Sequence, residues 1–335
     1  MKLGLIGAGR IGKLHAENIT YYIPGVDIKT VADVYKDQAK EWAENLGIVN
    51  LISDYKDILS DPEIEAVLIC SSTDTHAQMI IESAGAGKHI FCEKPIDFNI
   101  ERIKKALRAV ETAHVKLQIG FNRRFDHNFR KVREVVKGGN IGEVQIVKIT
   151  SRDPEPPPIE YVNVSGGIFL DMAIHDFDMA RYLSASEIDT VYAQGAVLID
   201  PEIGKLGDVD TAITTLTFKN GALGVIDNSR QAVYGYDQRV EVFGSKGCVH
   251  VENDFPNSAA ISTAEGVTRE KPHYFFIERY KTSYIEELKA FTEAIARNEE
   301  TQVTGNDGLQ PVLIGLAARK SLKENRPVTI EEMLA

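Results

Sequence analysis

The segment Gly7–Gly12, close to the start of the chain, constrains the fold more than any other feature of the sequence. It reads Gly-Ala-Gly-Arg-Ile-Gly and therefore has the spacing G-x-G-x-x-G. An apolar stretch at residues 3–6 precedes it, and a helical pattern of apolar residues follows from about residue 11 to residue 22. Glycines at these positions permit a tight turn and a close approach of the backbone to a pyrophosphate, which the helix N-terminus attracts. The pattern predicts a dinucleotide-binding turn made by Gly7, Gly9, Arg10, Ile11 and Gly12.

Asp33 is the predicted partner of the cofactor ribose. It ends the second predicted strand, 21 residues after Gly12, close to the expected spacing of about 20. A carboxylate accepts hydrogen bonds from the ribose hydroxyls and repels a 2′-phosphate, and the next residues, Val34 and Tyr35, supply no arginine. The sequence therefore favours NAD over NADP. The alternative is a glycine-rich turn in an α/β domain that binds no nucleotide.

The order of the predicted elements divides the chain into two domains. Short apolar strands alternate with helices through residue 120, which predicts an α/β domain with a doubly wound parallel sheet, a Rossmann fold. Longer β segments then follow one another, and Asn220-Gly221 lies between two of them as a hairpin signal. We expect residues 1–120 to bind the cofactor. Residues 121–335 are expected to form an α+β domain with an open, mainly antiparallel sheet.

Composition excludes several classes of partner. The 335 residues include 38 Lys and Arg against 49 Asp and Glu, a net charge of −11, so no nucleic acid and no membrane is expected as a partner. No apolar run approaches the roughly 18 residues of a membrane helix. Cys70, Cys92 and Cys248 show no metal-like or redox-like spacing, which suits a reducing cytoplasm.

Two polar groups follow predicted strands of the first domain. Hydroxyl-bearing residues and a histidine come after the strand that ends at Cys70, at the end of a parallel sheet where ligands bind, and these are Ser71, Ser72, Thr73 and His76. They are candidate cofactor contacts, although Thr73 or Thr75 could instead cap the next helix and His76 could be a surface residue. Glu93-Lys94-Pro95 follows the next strand, so Lys94 either lies at the crevice or is simply solvated, and Pro95 is a candidate cis proline.

Asp171 and His175 are the acid–base candidates of the second domain. They are four residues apart, so in the first turn of a helix both would lie on one face. Histidine is suited to proton transfer near neutral pH, and a neighbouring carboxylate would orient it. A purely structural pair is equally consistent with this spacing. A metal site with Asp176 and Asp178 is disfavoured, because those two residues point to other faces of the helix.

Together these motifs resemble the Gfo/Idh/MocA oxidoreductases. The resemblance rests on the G-x-G-x-x-G segment, the Glu93-Lys94-Pro95 triplet and the Asp-x-x-x-His pattern of Asp171 and His175. It covers nearly the whole chain, and residues 118–126 and 234–244 are similar to the inositol 2-dehydrogenase branch. The family implies a Rossmann domain joined to an α+β domain, NAD as cofactor, and a homo-tetramer.

The resemblance also implies roles for individual residues. Lys94 would hydrogen-bond the reacting oxygen and contact the cofactor together with Glu93, His175 would accept the hydroxyl proton, and Asp171 would be its partner carboxylate. Implied substrate contacts are Arg123, Asn122, Asp153 and Tyr236. The loop at residues 154–164 and the segment near residues 274–280 would select the polyol.

The implied activity is the NAD-dependent oxidation of myo-inositol to 2-keto-myo-inositol, with a small-molecule polyol or sugar as the partner. Oxidation of scyllo-inositol or another sugar by the same residues is the first alternative. The second is a regulator that binds NAD without turnover.

Overall fold

A computed structural model describes residues 1–334 of the chain, and these form two compact units. The first unit contains Met1–Asn122 and Thr282–Gln310, and the second contains Arg123–Lys281 and the described residues from Pro311 onward. The sequence pattern separates two continuous segments at residue 120. In the structure, however, residues 282–310 pack with the N-terminal segment.

The described residues contain fifteen β-strands and thirteen α-helices. The strands are β1 (Lys2–Ile6), β2 (Asp27–Ala32), β3 (Asn50–Ile52), β4 (Ala66–Ile69), β5 (His89–Glu93), β6 (Leu117–Gly120), β7 (Val144–Arg152), β8 (Ile188–Ala196), β9 (Thr211–Phe218), β10 (Leu223–Ser229), β11 (Asp237–Gly244), β12 (Gly247–Val251), β13 (Ala260–Thr263), β14 (Gly266–Arg269) and β15 (Val328–Thr329). The helices are α1 (Arg10–Tyr22), α2 (Lys36–Asn45), α3 (Lys56–Ser60), α4 (Thr73–Gly85), α5 (Ile100–Ala113), α6 (His127–Lys137), α7 (Ile159–Ser165), α8 (Gly167–Asp171), α9 (Ile174–Ser184), α10 (Pro201–Lys205), α11 (Phe276–Arg279), α12 (Lys281–Arg297) and α13 (Gly305–Glu324).

The first unit is built on a six-stranded parallel sheet with the order β3-β2-β1-β4-β5-β6. Every residue of β4 is buried, as expected for a central strand that is covered on both faces. The strand order reverses between β1 and β4, the point at which doubly wound sheets bind their ligands. The predicted Rossmann fold is therefore confirmed.

Helix α12 belongs to this first unit because its buried face completes the core. Leu288 and Phe291 pack in one apolar cluster with Leu3, Leu5 and other residues of the sheet and its helices. The Phe91 and Phe291 rings meet edge to face, with their centroids 5.9 Å apart. Burial of such large side chains stabilises a fold by about 1.5–3 kcal/mol each, so this late segment contributes substantially to the N-terminal core.

The second unit contains a seven-stranded sheet with the order β12-β11-β7-β10-β9-β8-β15. Its pairings are antiparallel apart from β7 and β10, which run parallel. Alternating burial along β9 leaves one face of this strand exposed, as the prediction of an open sheet requires. The predicted hairpin between β9 and β10 is also present, and Gly221 has the positive φ of +86° that its turn needs.

Three local predictions differ from the structure. Asp171 is the last residue of α8 and His175 is the second residue of α9, so they flank a short break rather than share one helical turn. Residues 154–164 are not wholly a loop, because α7 starts at Ile159. Neither Thr73 nor Thr75 caps α4: its N-cap residue is Ser72, without a side-chain hydrogen bond.

Among the described residues, no helix combines the length and the apolar character needed to cross a bilayer. The three cysteines are unpaired; Cys92 is buried, Cys70 half-buried and Cys248 exposed.

Candidate active site

The glycine turn of the first unit is shaped for close backbone approach. Gly7 has a φ of +96°, and a Cβ placed there would lie 2.7 Å from the carbonyl oxygen of Cys70 and from the amide nitrogen of Ser71. A Cβ on Gly12 would collide with the carbonyl oxygen of Gly7. Both positions therefore exclude side chains, because β1, α1 and the end of β4 meet there.

Gly9 differs from these two glycines because it faces open space. A Cβ at Gly9 would meet no heavy atom within 4 Å, and no side chain caps α1, which begins at Arg10. The first-turn N–H groups of a helix have no partners within the helix and carry partial positive charge. This combination of open space and uncapped N–H groups fits the pyrophosphate of a dinucleotide.

Asp33 lies directly against this turn. One of its carboxylate oxygens accepts the Ala8 N–H at 2.6 Å, and the other accepts the Tyr35 N–H at 2.7 Å. The two bonds orient the carboxylate at the end of β2 while leaving lone pairs for further donors. The geometry thus brings Asp33 and the glycine turn together, which fits the predicted ribose contact.

The hydroxyl-rich segment after β4 is internally hydrogen-bonded. Ser71 Oγ and Thr75 Oγ1 are 2.7 Å apart, and Thr75 Oγ1 also donates to the Ser72 carbonyl oxygen at 2.7 Å. Ser72 is exposed, whereas Ser71 and Thr73 are half-buried. These residues line the same sheet edge as the glycine turn, because parallel strands end on one side.

His76 lies inside the first unit rather than on its surface. Its Nδ1 is 2.8 Å from the carbonyl oxygen of Pro95, and its Nε2 is 3.0 Å from that of Ser71. The ring is 1% exposed. His76 therefore connects the loop after β4 with the turn after β5, and the surface alternative is wrong.

The Glu93-Lys94-Pro95 triplet forms that turn after β5. The Lys94–Pro95 peptide bond is cis, as the sequence suggested. Glu93 Oε1 lies 2.7 Å from His15 Nε2, and a Cβ on Gly120 would lie 3.0 Å from the Glu93 carboxylate. The Glu93 carboxylate is therefore enclosed by α1 and β6, and Lys94, the next residue, is half-buried.

In the second unit, Arg230 joins two of the predicted site residues. Its Nη2 donates to Asp171 Oδ2 at 3.1 Å, and its Nη1 donates to Asp153 Oδ2 at 3.4 Å. The Tyr161 hydroxyl also donates to Asp171, at 2.9 Å. Burial raises the pKa of Asp153 to about 6, assisted by the charge of Asp171 and opposed by Arg230. The guanidinium thus holds two neighbouring carboxylates in place.

A second arginine, Arg123, is itself a predicted substrate contact and hydrogen-bonds another, Tyr236. Arg123 Nη1 donates to Asp176 Oδ1 at 2.6 Å, and Nη2 donates to the Tyr236 hydroxyl at 3.2 Å. Asn228 Nδ2 donates to the other Asp176 oxygen at 2.8 Å. Arg123 is 4% exposed and Asp176 is fully buried, so the pair is a desolvated ion pair, and breaking one would cost about 3–5 kcal/mol.

The remaining acidic residues of α9 take structural partners. Asp178 accepts hydrogen bonds from Arg124 at 2.6–3.1 Å. Asp176 therefore pairs with Arg123 and Asp178 with Arg124.

The predicted residues thus fall into groups within each unit. Asp171 and Asp153 meet through Arg230, and Arg123 meets Tyr236 directly. His175 is half-buried at the start of α9. Asn122 is buried at the end of the N-terminal segment of the first unit, and among the described residues its side-chain nitrogen has no hydrogen-bond partner.

Sequence reasoning missed Arg230, Tyr161 and Asn228. Arg230 directly follows β10, as Asp153 directly follows β7, and the parallel pairing of these strands places both residues at one sheet edge. An arginine immediately after a β segment was the available signal, but the sequence did not show that β7 and β10 pair in parallel.

Comparison with known proteins identifies the family. Myo-inositol 2-dehydrogenase of Thermotoga maritima is 50% identical over 334 residues, which cover 100% of both chains. The family description "Oxidoreductase family, NAD-binding Rossmann fold" matches residues 1–121, and "GFO/IDH/MocA C-terminal domain" matches residues 129–250. The chain belongs to the Gfo/Idh/MocA oxidoreductases.

Two further relatives of this Gfo/Idh/MocA oxidoreductase carry a different inositol in their names. The scyllo-inositol 2-dehydrogenase (NAD(+)) of Bacillus subtilis is 36% identical over 332 residues, covering 99% of this chain and 96% of that protein. The crystal structure of scyllo-inositol dehydrogenase from Lactobacillus casei with bound NAD(H) and scyllo-inositol has a TM-score of 0.93 and 31% identity, covering 99% of each chain. The first unit is thus an NAD-binding Rossmann domain of an oxidoreductase.

Proposed function

We propose that this oxidoreductase is an inositol 2-dehydrogenase that converts myo-inositol to 2-keto-myo-inositol with NAD+. The observation that carries the proposal is the end-to-end 50% identity with a protein named for this reaction. An inositol is an uncharged ring with many hydroxyl groups, so its site needs side chains that both donate and accept hydrogen bonds. The carboxylate of Asp153, the guanidinium of Arg123 and the hydroxyl of Tyr236 meet that need, with Asn122 as a further amide.

The proposed mechanism assigns proton transfer to the second unit. His175 accepts the proton of the reacting hydroxyl as general base. Asp171 orients the imidazole and stabilises the imidazolium as it forms. Arg230 and Tyr161 hydrogen-bond Asp171 and so act as positioning residues.

Lys94 is proposed to stabilise the negative charge that develops on the reacting oxygen. As the C–O bond becomes a ketone, negative charge grows on that oxygen, and the Lys94 ammonium stabilises it. Bound NAD+ supplies the acceptor for the hydride. The glycine turn, Asp33 and the segment Ser71–Thr73 would hold the cofactor, with His76 and Glu93 supporting the adjacent loops.

Turnover with a panel of polyols tests the proposed function. Purified protein is mixed with NAD+ and, separately, with myo-inositol, scyllo-inositol, glucose and a deoxy-sugar, and NADH formation is followed by absorbance. We expect the highest kcat/KM with myo-inositol. Faster oxidation of scyllo-inositol or of a sugar would reassign the substrate, and NAD binding without turnover on any polyol would favour a regulator.

Replacing Asp33 with alanine is expected to weaken the preference for NAD. Two unit charges 4 Å apart repel by about 1 kcal/mol in bulk water and about 4 kcal/mol near a protein surface. Loss of the carboxylate should therefore lower the ratio of kcat/KM for NAD to that for NADP by at least about fivefold. Asp37→Ala, an exposed carboxylate on α2, is the matched control. An unchanged ratio in Asp33→Ala would show that another residue reads the ribose.

The proposal includes a homo-tetramer in the cytoplasm. An exposed apolar row supports subunit contact: Leu223, Ile146 and Phe243 are register neighbours on β10, β7 and β11 and are 56%, 44% and 44% exposed. Two large aliphatic side chains and a ring in one row are a typical protein-contact feature. Sedimentation should give four times the mass of one chain, and a monomer at micromolar concentration would contradict the tetramer.

A further inference from the structure

A cluster of three titratable side chains in the first unit includes Glu93, the residue that precedes Lys94. His15 of α1, Glu93 of β5 and Glu287 of α12 each place one polar atom within 4.8 Å of the other two. His15 and Glu287 are fully buried, and the His15 ring meets the rings of Phe91 and Tyr284 at centroid distances of 5.1 and 5.8 Å. Two carboxyl groups and an imidazole thus share an apolar environment, one residue away from Lys94.

The hydrogen bonds in this cluster indicate where its protons are. His15 Nε2 contacts Glu93 Oε1 at 2.7 Å, whereas His15 Nδ1 has no hydrogen-bond partner among the described residues. Nε2 is therefore the His15 nitrogen that can donate a hydrogen bond to the Glu93 carboxylate. The Glu93 carboxylate can therefore accept a hydrogen bond from His15.

The carboxyl group of Glu287 accepts no hydrogen bond from any described residue. Neither of its carboxyl oxygens has a hydrogen-bond partner among the described residues, and its backbone carbonyl accepts from Gln118 Nε2 at 2.7 Å. An ionised carboxylate buried without donors is strongly disfavoured. The other titratable groups facing the cluster are Cys70, Cys92 and Tyr284, and burial raises the pKa of both thiols, which therefore stay uncharged.

We propose that Glu287 is a carboxylic acid at neutral pH, and that His15, Glu93 and Glu287 form a proton-holding triad that positions the Glu93-Lys94-Pro95 turn. Burial and the nearby Glu93 charge both raise the pKa of Glu287 well above its usual range, in line with the geometry. The positioning of Lys94 rests on the proposed function, whereas the protonation of Glu287 does not depend on it.

A divalent cation is the competing explanation for this set of donors. One imidazole and two carboxylates are suitable ligands for such an ion. The 2.7 Å separation of His15 Nε2 and Glu93 Oε1 is, however, an ordinary hydrogen-bond distance. Metal analysis of the purified protein distinguishes the two: one zinc or manganese ion per chain, lost in Glu287→Gln, would overturn the proposal.

The pH dependence of stability tests the protonation directly. A carboxyl group whose pKa is raised in the folded state stabilises the fold least at high pH, because the unfolded chain releases the proton above about pH 4.3 while the folded chain retains it. Glu287→Gln does not titrate. Its unfolding equilibrium constant relative to wild type should therefore fall by up to about tenfold per pH unit from pH 5 toward pH 8.

The matched control for this series is Glu293→Gln, an exposed carboxylate on the same helix that pairs with Arg297. It should show no such trend. A Glu287→Gln variant whose stability relative to wild type is independent of pH, or falls with rising pH, would overturn the proposal, because an ionised Glu287 would then be present in the folded state.

Infrared spectroscopy of the wild-type protein keeps the test independent of how the variant folds. Protein with ¹³C-labelled glutamate should show at pH 7 a carbonyl band of a protonated carboxyl group, which Glu287→Gln removes if it folds. Absence of any such band in the wild-type protein would overturn the proposal. Neither this readout nor the stability series uses a polyol, so failure here is distinguishable from failure of the proposed function.

The proposed positioning of Lys94 is tested separately by measuring kcat. Glu287→Leu replaces the carboxyl group, which has a polar atom within 4.8 Å of those of His15 and Glu93, with an apolar side chain, whereas Glu287→Gln keeps a polar group of the same length. We expect Glu287→Leu to lower kcat by roughly tenfold or more with little change in the KM for NAD, since small misplacements of a catalytic group are costly. Glu287→Gln should rescue most of that loss, and equal kcat values for Glu287→Leu and wild type would overturn the positioning role.

Discussion

Replacing His175 with alanine is expected to lower kcat for inositol oxidation by about 10²–10⁴, the usual contribution of a positioned general base. Without the imidazole, water must accept the proton of the reacting hydroxyl as the hydride leaves. Water is a weaker base than imidazole, and no side chain holds it in place. NAD affinity should be unchanged, because the substitution leaves the glycine turn and Asp33, the proposed cofactor contacts, intact. Steady-state kinetics at saturating NAD+ and polyol measures the effect.

His250→Ala is the matched control for this experiment. His250 is an exposed histidine on β12, in the same unit as His175, so its removal deletes the same chemical group from outside the candidate site. It should leave kcat within about twofold, as is usual for surface substitutions. Turnover of His175→Ala at the wild-type rate at pH 7 would remove this histidine from the mechanism.

Replacing Lys94 with methionine is expected to lower kcat by at least about 10²–10³, the loss that follows removal of one group stabilising a developing oxyanion. Methionine has a similar length and no charge, so the turn after β5 keeps its packing while the ammonium is lost. Calorimetric titration with NAD+ should show binding close to that of the wild-type protein. Lys94 would then act on the transition state rather than on cofactor binding.

Lys105→Met is the corresponding control, because Lys105 is exposed on α5 in the same unit. It should not change kcat. If Lys94→Met lost NAD affinity but retained kcat at saturating cofactor, Lys94 would be a cofactor ligand alone, and another cation would have to stabilise the reacting oxygen.

Much of the first unit is predictable because its signals are local. Buried strands such as β4 are continuous apolar runs, and Gly7 and Gly12 occupy positions where no side chain fits. Asp33 follows from its distance to the glycine turn. The packing of α12 is different: Leu288 and Phe291 show that the helix has an apolar face, but not which of two cores that face covers. Only tertiary structure supplies that information.

The candidate site of the second unit is less predictable because it depends on strand pairing. Asp153 and Arg230 are 77 residues apart and meet because β7 and β10 lie side by side and parallel. Consecutive β segments with short turns favour antiparallel neighbours. No local sequence pattern therefore predicts the parallel pairing of β7 and β10. The break between Asp171 and His175 is equally hidden, since residues on both sides of it have helical character.

The buried polar groups were the hardest to predict. His15 on α1 and Glu287 on α12 are both fully buried, although each is a polar residue on a helix. The end of β5 provides a hydrogen-bond partner for one of them, because His15 contacts Glu93. Polar residues on a buried helix face are therefore informative only after the neighbouring elements are known.

Transfer of deuterium from the substrate carbon tests the central claim most directly, namely that this chain oxidises the C2 carbinol of inositol with NAD+. Myo-inositol deuterated at C2 is incubated with the protein and NAD+, and both products are examined by mass spectrometry and NMR. We expect one deuterium in the reduced cofactor, 2-keto-myo-inositol as the other product, and slower turnover than with unlabelled substrate. Reduced cofactor without deuterium, or no reduction at all with myo-inositol, would contradict it.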